Sequence, residues 1–118
     1  MERKIQELYE EINFLGFNLT YHRNSSNYIE NCKHLFPRIQ EFVQWFMEGL
    51  EYRFEREVYC NLIDILNDCE TAFREHDNVL MLDALEQGIA GYLEMFLSED
   101  YFREKETAYV GGTEKKES

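Results

Sequence analysis

At 118 residues the chain is long enough to bury one hydrophobic core without disulfides or metals, and too short for two independent ones. Its 44% apolar and 15% aromatic content excludes a disordered acidic polypeptide, and one proline and six glycines favour long helices over many short strands. Acidic residues outnumber basic ones 24 to 12, and the formal net charge of −12 argues against direct contact with nucleic acid or an anionic membrane, whose phosphates would repel it.

Such a charge would attract a basic partner, or a protein site that ordinarily holds nucleic acid; its plainer role is to keep a hydrophobic small protein soluble. Cys32, Cys60 and Cys69 are odd in number and lack Cys-x-x-Cys spacing, so neither a disulfide framework nor a zinc site is expected. Glu2, Arg3 and Lys4 lead straight into an amphipathic pattern, with no apolar stretch fit for a signal peptide or a membrane span. A reducing, cytoplasmic setting is the expectation.

The first stretch, Ile5 to Tyr28, has apolar residues on two faces of a helix. Ile5, Leu8, Ile12, Leu15, Gly16 and Leu19 fall on one side; Phe14, Phe17, Tyr21 and, if the helix runs on, Tyr28 fall on the other. One face can fill a core. The second needs another cover, either a further layer of the same domain or a partner. Asn24-Ser25-Ser26-Asn27 favours caps and turns, so the helix either ends near Arg23 and restarts on Ser25 or Ser26, or bends on to about His34. Pro37 is expected at a helix boundary, because proline suits a first turn and disfavours helical geometry just before it.

From 37 to 54, Ile39, Phe42, Val43, Phe46, Leu50 and Phe54 form one apolar stripe. Trp45 and Tyr52 stand one heptad apart, off that stripe and beside Glu41 and Glu48. Two readings are open: they pack over a neighbouring helix edge, or they form an exposed anchor pair of the kind enriched at binding hot spots. The charged run Glu51 to Glu57 carries no turn residue, yet a compact domain of this length is expected to break near Arg56. The third helix then turns Val58, Leu62, Ile65, Leu66, Cys69, Ala72, Phe73 and His76 inward. Its other side bears an acidic stripe, Glu57, Asp64, Asp68 and Glu75, extending about 27 Å at the helical rise.

Asp77-Asn78 is a clear capping signal for the next helix, which is expected to bury Leu82, Leu85, Ile89, Tyr92, Leu93 and Phe96. Ala84, Gly88 and Gly91 make a strip of small residues beside Met95; each helical glycine costs about 1 kcal/mol against alanine, which close approach of another helix would offset. The pattern fades at Ser98-Glu99-Asp100, with Tyr101 and Phe102 as a last apolar turn. The sum is an all-α single-domain helical bundle of four helices, or five, over 1–104, followed by a flexible acidic tail over 105–118.

The stretch Asp77-Asn78-Val79-Leu80-Met81-Leu82-Asp83-Ala84-Leu85-Glu86 resembles the start of the last helix in a group of uncharacterised small helical proteins from Gram-positive bacteria. That group continues with a Glu-Leu-x-Pro segment, where this chain has Gly88, Ile89, Ala90 and Gly91. The resemblance reaches back to about Glu41 and implies a helical bundle, with no activity attached.

Chemistry is sparse. His76-Asp77 is similar to the adjacent metal-binding pair of the all-helical HD phosphohydrolases, with His34 and Asp100 or Asp83 as the further ligands that reading needs; Asp77 is equally well explained as a helix cap. No Glu-x-x-His pair, nucleophile elbow or phosphate-cradling glycine loop is present. No catalysis, cofactor or metal is therefore expected. The leading expectation is a non-catalytic interaction protein that docks to itself or to a protein partner through Phe14, Phe17, Tyr21 and Tyr28, with Trp45 and Tyr52 as further anchors. The alternative is an acidic inhibitor, of the kind a phage deploys against host defence, whose acidic stripe imitates nucleic acid and occupies a basic nucleic-acid-binding protein.

Overall fold

The computed structural model describes residues 1–22 and 27–104, with the side chains of Tyr21 and His22 excepted. The proposed restart on Ser25 or Ser26 and the tail from 105 onward lie outside the described residues. Those described are mostly helical and contain no strand, an all-α bundle as the periodicity implied.

Helix α1 is Glu2–His22. It buries Ile5, Leu8, Ile12, Leu15 and Gly16, with Leu19 half-buried, so the first of its two apolar faces is the core face. The second helical stretch, α2, covers 28–49 in four segments of differing pitch. An α-helical turn, Tyr28–Cys32, passes through a 3-10 turn, Lys33–Leu35, into an α-helical segment, Phe36–Gln44, and ends in a π turn, Trp45–Gly49. Pro37 thus sits in the first turn of an α segment, where its missing N–H costs nothing, and the chain stays helical through it.

The stripe expected to reach Phe54 stops at Gly49. Leu50 turns extended (φ −83, ψ 144), and Leu50 and Phe54 cover the core from the link 50–55 instead of from a helix. No glycine or proline marks that link because a side chain organises it. Arg53 Nη1 donates to the Met47 carbonyl at 2.7 Å, satisfying an orphan acceptor at the helix end, while its guanidinium lies 5.0 Å over the Tyr59 ring. The Phe54 N–H donates to the Tyr59 hydroxyl at 3.1 Å.

Helix α3, Arg56–Glu75, begins at the expected break. It buries Leu62, Cys69 and Ala72 and half-buries Val58, Ile65, Leu66 and Phe73. His76, expected inside, is exposed. It takes the left-handed conformation (φ 52) that closes α3, with its N–H donating to the Phe73 carbonyl and that of Asp77 to the Ala72 carbonyl. Asp77 Oδ1 then accepts from the Leu80 N–H at 3.0 Å, capping the next helix as its sequence position implied.

That helix, α4, covers 78–94 and contains a π turn, Ala84–Ile89, between α-helical segments Asn78–Asp83 and Ala90–Glu94. Its core positions Met81, Leu85, Ile89 and Leu93 are spaced by four, and in an unbroken α-helix each such step drifts about 40° around the axis. The wider π turn takes back part of that drift and keeps all four inward. It also separates residues that an α-helix would align: Gly88 is buried against α3, whereas Gly91 faces open space. A short helix α5, 99–104, follows. Ser98 Oγ accepts from the Tyr101 N–H at 3.0 Å, and the buried Tyr101 donates its hydroxyl to Glu10 Oε2 at 2.9 Å, fastening α5 to α1.

The core is centred on Phe46. Its ring stacks on Phe54 (centroids 5.1 Å apart, planes 4° apart) and meets Tyr59 and Tyr92 edge-on, each at 5.5 Å, with Phe96 at 5.9 Å.

The two helical glycines of α4 differ in sign. A Cβ on Gly88 would lie 2.7 Å from Ile65 Cγ2, a branched group held by its own helix, whereas one on Gly91 meets nothing within 4 Å. In thermal or urea unfolding, Gly88→Ala is expected to lose about 1–2 kcal/mol by overpacking, and Gly91→Ala to gain about 0.5–1 kcal/mol from helix propensity alone.

Candidate functional site

The outer face of α1 divides lengthwise. Its N-terminal half carries Arg3, Glu7 and Glu10, with Arg3 Nε donating to Glu7 at 3.2 Å; the C-terminal half carries Phe14 and Phe17, which are 58% and 50% exposed. Both flanks of the helix are occupied. On one side Lys4 pairs with Glu41 of α2 at 2.8 Å and His34 lies 3.5 Å from Glu11; on the other, Tyr9 meets Tyr101 and Phe102 of α5 edge-on at 6.3 and 6.0 Å. Phe14 and Phe17 lie between those flanks, directed away from the core face. Tyr21 follows one turn later in the same helix, and its side chain lies outside the described residues.

Tyr28 does not join them. It is 2% exposed and opens α2, where it packs into the core instead of continuing the outer aromatic face of α1. Its hydroxyl is buried with no oxygen or nitrogen partner among the described residues, and only the weakly hydrogen-bonding Cys32 thiol stands beside it. Burial is the main cause that pushes its ionisation far above the ordinary tyrosine range, with the Cys32 and Cys69 thiols and the Glu86 carboxylate adding to it. Burial likewise pushes the Cys32 thiol up to about 11 and Cys69 to about 12. Glu86 lies against Gly16, where a Cβ would overlap its carboxylate, and burial raises its carboxyl above the usual range.

Trp45 and Tyr52 are not a pair. Trp45, half-buried, packs edge-on to Phe96 at 4.9 Å and lies over Gly49, where any Cβ would stand 2.7 Å from its ring. Tyr52 is exposed on the link 50–55, its ring edge-on to Phe54 at 5.3 Å. The heptad that related them requires a helix through both, and the helix ends at Gly49.

Glu57, Asp64, Asp68 and Glu75 are all exposed along α3, and none of the four forms an ion pair among the described residues. The neighbouring Glu70 is drawn to Arg74 at 3.9 Å, and on α5 Arg103 lies between Glu99 and Asp100 at 4.0 and 3.6 Å. His76 and Asp77 form the turn between α3 and α4, His34 lies beside Glu11, and no group of three potential metal ligands occurs among the described residues. Sequence reasoning passed over the attachment of α5 to α1 through Tyr101 and Glu10. Its signal was present: Ser98 followed by Glu99 and Asp100 is a helix N-terminus, with acids in the first turn complementing the helix dipole.

Two hydroxyls test the buried polar assignments. Tyr92 donates to the Val58 carbonyl at 2.7 Å and accepts from Asn61 at 2.9 Å, so Tyr92→Phe is expected to lose about 1–2 kcal/mol of unfolding free energy. Tyr28→Phe removes a buried hydroxyl whose only neighbouring partner is a weakly accepting thiol, and is expected to be neutral or stabilising in the same chemical-denaturation measurement. For Glu86 the folded carboxyl holds its proton more tightly than the unfolded one, so its contribution is fully present at low pH and lost as pH rises through the folded value. Glu86→Gln is therefore expected to stabilise at pH 7 and to make no difference near pH 3, read from denaturation midpoints across that range.

Comparison with protein-family models, with curated proteins and with solved structures returns no match, so the functional reading stands on the surface itself.

Proposed function

We propose that this chain is a non-catalytic interaction protein of a cytoplasmic, reducing compartment, docking to a second copy or to a protein partner through the outer face of α1. One observation carries the reading: Phe14 and Phe17 are 58% and 50% exposed on the face opposite a fully formed core. Adjacent exposed phenylalanines on a rigid helix present i and i+3 anchors of the kind that helix-pair and helix-in-groove contacts use. Burying the exposed half of each is worth roughly 1–1.5 kcal/mol, and a small number of such anchors can dominate an interface. All three cysteines stand as free thiols, and no helix among the described residues is long and apolar enough to cross a membrane.

The unpaired acidic stripe of α3 favours a second reading, in which Glu57, Asp64, Asp68 and Glu75 occupy the phosphate-binding row of a basic nucleic-acid-binding protein. The two readings make opposite demands on salt. Contact through phenylalanine changes little with ionic strength, whereas contact through four exposed carboxylates weakens steeply.

A photoreactive phenylalanine analogue at position 14 is expected to cross-link either a second copy or a partner in cells. The same group at Val79, exposed but remote from Phe14 in sequence and on another helix, is expected to give no such product. The Phe14→Asp/Phe17→Asp double variant is expected to abolish the captured complex, in 0.05 and 0.5 M salt alike, with circular dichroism and melting unchanged. A double variant that unfolds would assign both side chains to the fold and overturn the reading.

A further inference from the structure

Between α2 and α3 runs an open groove of about 460 Å3, to whose lining α1 contributes no residue. The nearly buried Ile39 and Cys69 form its depth, and the half-buried Phe36, Leu66 and Phe73 its sides, with the Phe36 and Phe73 rings edge-on at 5.6 Å. Its volume, and a lining that is mostly apolar with few polar groups, are those of small-molecule sites. One end is marked by charge. The Lys33 ammonium lies 5.7 Å above the Phe73 ring and takes no carboxylate among the described residues, although acids outnumber bases twofold in this chain. Glu70, which also lines the groove, lies instead at 3.9 Å from Arg74. The helix pair is antiparallel here, with Lys33 beside Phe73.

We propose that this groove binds a small amphipathic carboxylate, with the apolar body lying between Phe36, Ile39, Leu66 and Phe73 and the carboxylate engaging Lys33. The length of the groove sets the size. Lys33 to Gln40 spans about 10 Å of helix, which accommodates an unbranched chain of about eight carbons at ordinary bond lengths. Charge sets the head group against the global field. A protein of net charge −12 repels anions and attracts cations at long range, so preference for an anion can only come from a local cation, and Lys33 is the one lining the apolar cleft. The ammonium poised over an aromatic ring also retains a free hemisphere of donors for a carboxylate.

The test uses three probes with the same chain, octanoate, 1-octanol and octylammonium, titrated into the full-length protein and followed by backbone amide chemical shifts at about 0.1 M salt. Saturable shifts are expected at 33–40 and 66–73, with octanoate bound most tightly despite the protein's charge. Lys33→Met is expected to weaken octanoate about fivefold, the worth of a partly exposed ion pair, and to leave 1-octanol unchanged. Lys33→Glu is expected to make octylammonium the tightest of the three. Lys33 is exposed, so both variants should melt as the wild type does. Octylammonium equalling octanoate in the wild-type protein would overturn the proposal, as would shifts centred on Phe14 and Phe17, a failure to saturate, or a groove already filled by a second copy, seen as concentration-dependent shifts at the same amides without ligand.

Discussion

The burial of Phe46 is the contact on which the rest of this bundle depends. It belongs to the π turn that ends α2, and its ring is enclosed by Phe54 from the link, Tyr59 from α3, and Tyr92 and Phe96 from α4 and its end. A fully buried aromatic is worth roughly 2–3 kcal/mol by transfer alone, and each well-placed ring pair adds about 0.5–1.5 kcal/mol. One side chain therefore couples three helices and a link that has no turn residue of its own. The polar atoms of the same cluster are satisfied rather than merely buried. Tyr92 bridges the Val58 carbonyl and Asn61, and Tyr59 receives the Phe54 N–H.

With the core occupied in this way, α1 is left as a cover. Its inner face closes one side of the bundle, α2 and α5 hold its flanks through Lys4–Glu41 and Glu10–Tyr101, and its outer face keeps Phe14 and Phe17 at least half exposed. The exposed Phe14 and Phe17 follow from that placement. A helix at the centre of a bundle is apolar all round because neighbours surround it; α1 lies at the edge instead, with Phe14 and Phe17 58% and 50% exposed.

The groove between α2 and α3 has a related origin. The 3-10 turn at Lys33–Leu35 changes the pitch of α2 where it passes Phe73, and the two helices line the groove with Phe36 and Ile39 from one and Leu66 and Phe73 from the other. The acidic excess of the chain is distributed outward, over α3, α5 and the N-terminal half of α1, so that the ammonium of Lys33 stands out against it. Charge sign, more than apolar area, distinguishes this cleft from the aromatic patch on α1.

Much of the fold was legible in residue order, because local rules sufficed. The spacing of Ile5, Leu8, Ile12 and Leu15 determined which face of α1 is buried, the acceptor on Asp77 determined where α4 starts, and the length of the chain favoured a break near Arg56 over one continuous helix. The sequence alone also sufficed for the exposure of Glu57, Asp64, Asp68 and Glu75, since ionised side chains are not buried unpaired. Tertiary packing decided the rest. A π turn re-phased α4, which placed Gly88 inside and Gly91 outside; Tyr28 packs into the core from α2, out of phase with the aromatic face; and the exit at Gly49 separated Trp45 from Tyr52. Each of these is a departure from uniform helical phase. Periodicity carries phase only within one unbroken helix, whereas the energy that favours a break comes from contacts between residues far apart in the chain, and those exist only once the chain has folded.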